Sequence, residues 1–280
     1  TVGDEDSSGD ITLRDVTTTN LVVTNNGTTS GSDILDEGGL TVSGTSAFTT
    51  VVSDGVITLD AAHALTGAVT LNTNSSSTSA HATLDNGTTA LNLAASTIGG
   101  NLTVTTGNVS GITDSGAVTV GGNLVATTDA NSGVIDLGTT LVTGTVALTT
   151  HGSGNATLDN GSLNIDLAAS NVGGNLTVTS GNASGITDSG TVTVGGNLVA
   201  TTDANSGVIN LDSMAVDGTF TLSPHSTGAV TVVNDAGLDL AASTMGGTFS
   251  GTATTGNISD AGALAITGAA TFITGATGSN

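Results

Sequence analysis

A single basic side chain, Arg14, stands against 23 acidic ones in this 280-residue chain, giving a formal charge of −22. With no Lys/Arg patch to neutralise phosphates, nucleic-acid binding is excluded, and anionic membrane surfaces are disfavoured for the same reason. The scarcity of Lys and Arg also leaves trypsin-like proteases almost nothing to cut, which suits an exposed extracellular life. Cysteine is absent, which removes a disulfide framework and Cys-ligated zinc or iron–sulfur sites but assigns no compartment. Trp and Tyr are absent and Phe occurs four times, so any core must be thin and aliphatic. No apolar run approaches the roughly 20 residues that a membrane-spanning helix needs, and no membrane insertion is expected. Thr1 does not open a signal peptide, so any such segment has been removed or lies outside this sequence.

What the chain does have is a repeat. Ile112 to Ile135 reads ITDSGAVTVGGNLVATTDANSGVI and returns at Ile186 to Ile209 with one change, Ala117 against Thr191, at an offset of 186 − 112 = 74 residues. Gly39-Leu-Thr-Val42 aligns with Ala117-Val-Thr-Val120, and Gly55-Val-Ile57 with Gly133-Val-Ile135, both at an offset of 78. Ala82-Thr-Leu-Asp-Asn-Gly87 matches Ala156 to Gly161 at 74, and a degraded last copy includes Met245-Gly-Gly-Thr-Phe249 and Gly256 to Gly262. This gives about three and a half copies of a 72–78-residue repeat with no linker between them. Residues 1–9, TVGDEDSSG, read as an acidic N-terminal arm or cap, and residues 10–280 as one continuous repeat domain.

Within each copy the hydrophobic period is two. Leu102/Val104, Val118/Val120, Ile135/Leu137, Val146/Leu148 and Ile165/Leu167 each put two aliphatic residues on one face, with Thr, Asp, Asn or Ala between them. Such runs, bounded by Gly, Asn, Asp and Ser, are short β-strands. The best helical candidates, Leu91 to Ser96 and Ile165 to Ser170, are too short to compete. A strand with only two inward residues cannot build a sandwich, but stacked on a like strand at about 4.8 Å it extends a continuous aliphatic column. The expected fold is therefore all-β, a single-stranded parallel β-solenoid. Strand pairs recurring roughly every 18 to 20 residues imply about 14–15 rungs. Phe48, Ala126, Ala200 and Phe272 occupy equivalent places, at offsets of 78, 74 and 72, and are expected to form one interior column.

The segments GNLTVTTGN, ITDSGAVTVGGNL and LAASNVGGNLTV resemble the β-strand repeats of filamentous-haemagglutinin-like, two-partner-secreted adhesins and autotransporter-type surface proteins of Gram-negative bacteria. The resemblance covers nearly the whole chain from about residue 10. It implies a right-handed β-helix and a secreted, cell-surface stalk, either a segment of a larger adhesin or a free-standing subunit.

Candidate chemistry is sparse. His151 and His225 are equivalent, at an offset of 74, and His63 and His81 have no His counterparts; all four read as solvent-facing turn residues. Asp114/Asp188, Asp129/Asp203 and Asp85/Asp159 recur at turns, where carboxylates bond nearby backbone. Each recurs once per copy, and Asp136 is replaced by Asn210, whereas catalytic carboxylates should be singular. Calcium is the conceivable cofactor because it takes carboxylate and carbonyl oxygens, yet the nonapeptide calcium repeat is missing. The pairs Thr103/Thr105, Thr177/Thr179 and Thr191/Thr193 invite an ice-binding reading but occur too rarely for a flat threonine face. Sequons at Asn26, Asn101, Asn155 and Asn257 follow from composition.

No residue is nominated as catalytic, cofactor-binding or metal-ligating. The expected function is a non-enzymatic structural one: an adhesin stalk or the subunit of a surface fibre, self-associating end to end because neither end shows a capping helix. A host, cell-surface or matrix glycan or protein is the conceivable external partner. The rival is a polysaccharide-binding or polysaccharide-degrading β-helix, which would lack the usual aromatic platform for sugar rings.

Overall fold

The computed structural model describes residues 9–29, 31–129 and 132–275. The acidic segment Asp4 to Asp6 and the tail ending at Asn280 lie outside them. The chain divides into two compact units, Thr1–Gly144 and Thr145–Asn280. Both consist of parallel strands stacked as a β-solenoid, and no helix occurs among the described residues.

A turn has two sides. One side holds a five-residue strand such as Leu102–Thr106; the other bends at a corner into two short strands, Ile112–Asp114 and Val118–Val120, before the next long strand, Leu124–Thr128. Alternate side chains point inward and pair with like residues above and below. In the first unit Ile11, Ile34, Ile57, Ala82, Leu102 and Leu124 stand in one register column. In the second, Ile165, Ile186, Ile209, Val230 and Phe249 do the same. Leu102, Val120 and Ile135 are buried, while Thr119 between two inward neighbours is half-buried. The period-two reading therefore holds.

The rung count does not. There are about 12 turns, because a turn consumes more chain than the strand spacing suggested: 249 − 230 = 19 residues from Val230 to Phe249, but 82 − 57 = 25 from Ile57 to Ala82. The corner between the two short strands accounts for the excess. It carries its own turn residues, so two strands that look like two rungs belong to one.

The sequence repeat is not a whole number of turns. In the first unit Ile34–Asp36 and Ile57–Leu59 are first short strands, and they share a sheet with Ala82–Asp85 and the long strands Leu102–Thr106 and Leu124–Thr128. The equivalent short strands Leu91–Leu93, Ile112–Asp114 and Ile135–Leu137 lie in the opposite sheet. The exchange happens at Ala82–Asp85, a single strand that follows the long strand Ala68–Asn72 where two short strands are otherwise found. From Ile57 the strands begin successively at Ala68, Ala82, Leu91, Leu102, Ile112, Leu124 and Ile135, which is seven half-turns. Val230–Asn234 has the same effect in the second unit, where Ile186–Asp188 and Ile258–Asp260 fall in opposite sheets. The repeat from Ile57 to Ile135 thus spans three and a half turns, and within each unit equivalent residues of its two copies lie in opposite sheets.

The expected Phe48–Ala126–Ala200–Phe272 column fails for this reason. Phe48 stacks between Val23 and Leu71, whereas Ala126 stacks on Val104 in the other sheet. Ala200 lies between Val178 and Leu222, and Phe272 lies opposite Gly251 in the other sheet of its unit. Phe48 is fully buried, but Phe272 is 50% exposed, with its ring 5.3 Å from that of Phe249.

Val120→Asp is expected to lower stability by about 3–5 kcal/mol, since an unpaired carboxylate would enter the aliphatic interior, while Thr119→Asp should be nearly neutral. Thermal melts of the two variants check this, and equal losses would overturn the alternation. By the same measurement Phe48→Ala should cost about 3–5 kcal/mol and Phe272→Ala clearly less.

Candidate functional site

Parallel strands form their ladder along the stacking axis, and at corners the backbone turns away from it. Corner N–H groups then need other acceptors. The recurring polar side chains supply them. Asp36 accepts from the amides of Asp60 (3.1 Å) and Ala61 (3.0 Å) on the next turn. Its equivalent Asp114 accepts from Gly138 (2.7 Å) and the Thr139 hydroxyl, and Asp188 from Asp212 (2.7 Å). These carboxylates were expected to be solvated turn residues bonding locally, and they instead staple one turn to the next. Asp85 and Asp159 do behave locally, accepting from Gly87 and Gly161 at 2.8 Å, and Asp129, Asp203, Asp136 and Asn210 are exposed.

A second staple runs through the Gly-Asn corners. Asn101 Oδ1 accepts from the Asn123 amide at 2.9 Å, and Asn155, Asn175 and Asn197 accept from Asn175, Asn197 and Thr219 at 2.8–2.9 Å. The side chain of one turn lies against the glycine of the next. A Cβ at Gly196 would fall 2.4 Å from Asn175 Oδ1, so this corner admits only glycine. The sequon residues Asn26, Asn101, Asn155 and Asn257 are exposed, but Asn101 and Asn155 are held in these ladders.

The half-turn steps need their own solution. At Ala82–Asp85 one strand covers two, and the second short strand beneath, Ala64–Leu65, would lose its backbone partner. The buried Asn86 side chain replaces it: Oδ1 accepts from the Leu65 amide at 2.9 Å and Nδ2 donates to the Leu65 carbonyl at 3.1 Å. Asn234 repeats this on Val216 at 2.9 and 3.0 Å. One level on, a split pair of strands covers one long strand, and the N–H of the fourth residue of that strand faces the gap. Ser96 Oγ takes the Leu71 amide at 3.0 Å, Ser170 the Leu148 amide at 3.1 Å and Ser243 the Leu222 amide at 3.0 Å. The helical candidates Leu91 to Ser96 and Ile165 to Ser170 are these strand–corner–serine segments. In the sequence TLDNG marks Asn86 and its equivalent Asn160, and LAAS marks Ser96, Ser170 and Ser243, while at Asn234 the segment reads TVVND.

Of the four histidines, His151 and His225 are exposed and His81 is half-buried, accepting from the Asn101 amide at 2.8 Å. His151 and His225 follow long strands that lie in opposite sheets, so the half-turn offset separates them. His63 departs from expectation: it is 2% exposed, and its Nε2 lies 3.4 Å from Asp36 Oδ2. Burial pulls its pKa below the usual value, against the attraction of Asp36, Asp85 and Asp60. Burial likewise raises the Asp188 carboxyl, helped by the like charges of Asp212 and Asp166 and opposed by the amides of Asp212 and Ser213. Asp188 Oδ2 and Asp166 Oδ1 are buried without a hydrogen-bond partner.

Recesses of about 430 and 190 Å³ open at short-strand corners, the first beside Asp114 and Asp136, the second beside Asp212 and Asp235. Among the described residues no three His, Asp or Glu side chains converge to hold a metal ion. The threonine ranks are broken, since Thr103 neighbours Val125 and Thr177 neighbours Val199 on the adjoining turns; Thr193, within the short strand Val192–Val194, and Thr191, just before it, are exposed. Arg14 pairs with Glu37 at the surface.

Four stretches, residues 4–72, 79–132, 153–223 and 227–279, match one family, described as repeats of unknown function (DUF5649). The chain belongs to this family. The second to fourth DUF5649 matches begin just before Ala82, Ala156 and Val230, so each of these repeats opens at a strand that starts a half-turn step or is equivalent to one. No curated protein and no solved structure matches the chain.

Replacing Asn86 by Leu keeps the volume but strands the Leu65 N–H and C=O, at about 1–3 kcal/mol for each buried unpaired group. The variant should melt well below wild type, and an unchanged melt would show that water replaces the amide. For Asp188 the sign follows from linkage. Its folded pKa is raised, so the folded state binds the proton more tightly and gains stability as pH falls through that pKa towards 3.8. Asp188→Asn should remove this gain, read as the difference between denaturation midpoints of wild type and variant across acid pH.

Proposed function

We propose that the chain is a non-enzymatic, extracellular structural protein, a stalk of the bacterial cell surface of adhesin type, with residues 10–280 forming one continuous β-solenoid. The observation that carries this reading is the use of the recurring polar side chains. Asp36, Asp114, Asn86, Asn101 and Asn175 each hold one turn to its neighbour, so what the repeat preserves is stacking. A chain selected for catalysis or for a small ligand would instead keep one singular cluster. Load along the axis would be shared by many backbone and side-chain bonds at once. No bound cofactor is needed in this reading, calcium included, and a host or matrix glycan or protein would be engaged by surfaces that the stalk carries.

Fibre assembly is the second form of the same reading. An uncovered end of a parallel solenoid is a row of strand edges, and such edges template further strands. Salt or divalent cations should favour association by screening the charge of −22.

Negative-stain microscopy and sedimentation of the purified chain test both forms. Elongated particles are expected, with end-to-end species growing at high protein and salt concentration. A strict monomer under those conditions removes the fibre and leaves the stalk; globular particles remove both. Melting temperatures should be the same in EDTA and in millimolar Ca²⁺, and a large rise with Ca²⁺ would make the ion part of the structure.

A further inference from the structure

His63 stands in for a piece of backbone. Leu40 is equivalent to Val118 in the repeat, and the Val118 amide donates to a backbone carbonyl of the next turn, that of Thr139, at 3.0 Å. The Leu40 amide has no such carbonyl. Between Ile57 and Gly67 this turn holds one residue more than the stretch from Ile135 to Gly144, and the His63 ring occupies the acceptor position, its Nδ1 3.0 Å from the Leu40 nitrogen. The neighbouring ladder is ordinary: Ala64 donates to the Leu40 carbonyl at 2.8 Å, and the His63 amide to the Asp85 carbonyl at 3.1 Å.

An imidazole nitrogen accepts only while it is unprotonated. With Nδ1 accepting, the ring proton sits on Nε2, directed towards Asp36 Oδ2 at 3.4 Å, an oxygen already engaged by the Ala61 amide. The ring and the Asp36 carboxylate are 0% and 1% exposed. The charged groups around the ring are Asp36 from the turn below, Asp60 on its own turn and Asp85 from the turn above. Arg14 and Glu37 pair with each other at the surface, 69% and 51% exposed. A second proton on the ring would set one N–H against another at Leu40.

We propose that His63 is an acid-responsive catch: neutral, it joins the turn of Leu40 to its own, and protonated, it releases the corner between Ile57–Leu59 and Ala64–Leu65. The sign is fixed by burial, the largest influence on the ring. The stability that His63 confers is complete above the ordinary value of 6.5 and is lost as pH falls from there towards the lower folded pKa. The loosening is local, because every other turn-to-turn bond at this level is indifferent to that proton.

Hydrogen exchange of the full chain between about pH 7.5 and 5, corrected for intrinsic rates, tests the proposal. Protection of residues 36–66 should fall below pH 6.5 by up to about tenfold per pH unit, the limit for one linked proton. His63→Gln, whose side-chain carbonyl accepts the Leu40 amide at any pH, should abolish the dependence, and His81→Gln should leave it intact. Protection that does not vary with pH in wild type, or a response unchanged in His63→Gln, overturns the catch. Ring resonances of the wild type decide the matter even if the Gln variant does not fold. His63 must stay neutral, with its proton on Nε2, as pH falls below the ordinary value of 6.5; a His63 that titrates at or above that value overturns it.

Discussion

The hydrogen bond from one turn to the next is the constraint on which this structure rests. Parallel strands with only two or three inward side chains bury little apolar surface each, and what turns them into a core is identical neighbours in register. Register requires that N–H and C=O groups be satisfied along the stacking axis even where the chain bends out of it. At straight segments the backbone does this alone. At corners it is done by side chains short enough to reach one level: Asp36 to Asp60, Asn101 to Asn123, Asn175 to Asn197. The abundance of Asn, Asp, Ser and Gly is therefore part of how the fold is held, and only partly a property of loops.

The half-turn step tests that constraint, because it forces unlike half-turns to stack. A single strand over a split pair leaves one strand bare; a split pair over a single strand leaves a gap. Asn86 and Asn234 answer the first mismatch by presenting an amide that imitates a peptide unit, donor and acceptor together. Ser96 and Ser243 answer the second with one hydroxyl that accepts from below and donates to the carbonyl of Ala94 or Ala241 beside it. With these solutions each unit exchanges its sides once, at Ala82–Asp85 in the first and at Val230–Asn234 in the second. Corners equivalent in the repeat, such as those that follow Ile34–Asp36 and Ile112–Asp114, thereby lie in opposite sheets of one unit.

Much of this was legible in the sequence. Alternation at Leu102/Val104 and Val118/Val120 located inward residues because burial has the strand's own period. The 74-residue offset located the copies. What an offset cannot convey is how many turns it contains, and both the rung count and the facing of equivalent residues depend on that number. The corner between Ile112–Asp114 and Val118–Val120 resembles a boundary between rungs, which inflated their number. Equivalence in the repeat suggests that Phe48 and Ala126 face the same way, but the step at Ala82–Asp85 sends them to opposite sheets. His63 was hidden for another reason. It has no repeat partner, and a one-residue insertion looks like loop variation until the bond it replaces, from Val118 to Thr139, is seen beside it.

The charge of the chain follows from the same constraint. A net −22 with one arginine looks ruinous if carboxylates are balanced only by cations. Here they are balanced by peptide dipoles. Asp10 accepts from the Asp33 amide, Asp33 from Val56, Asp54 from Gly31, Asp114 from Gly138 and Asp159 from Gly161. Each such bond is charge-assisted and stronger than a neutral one, and each settles a corner N–H that would otherwise depend on water. The residual repulsion is spread over many turns, and at each level it opposes a backbone ladder that binds on both sides of the solenoid. Lysine would add nothing to this arrangement, because a cation cannot accept a corner N–H. Acidity and the near-absence of basic residues are thus two consequences of one requirement, acceptors at the corners.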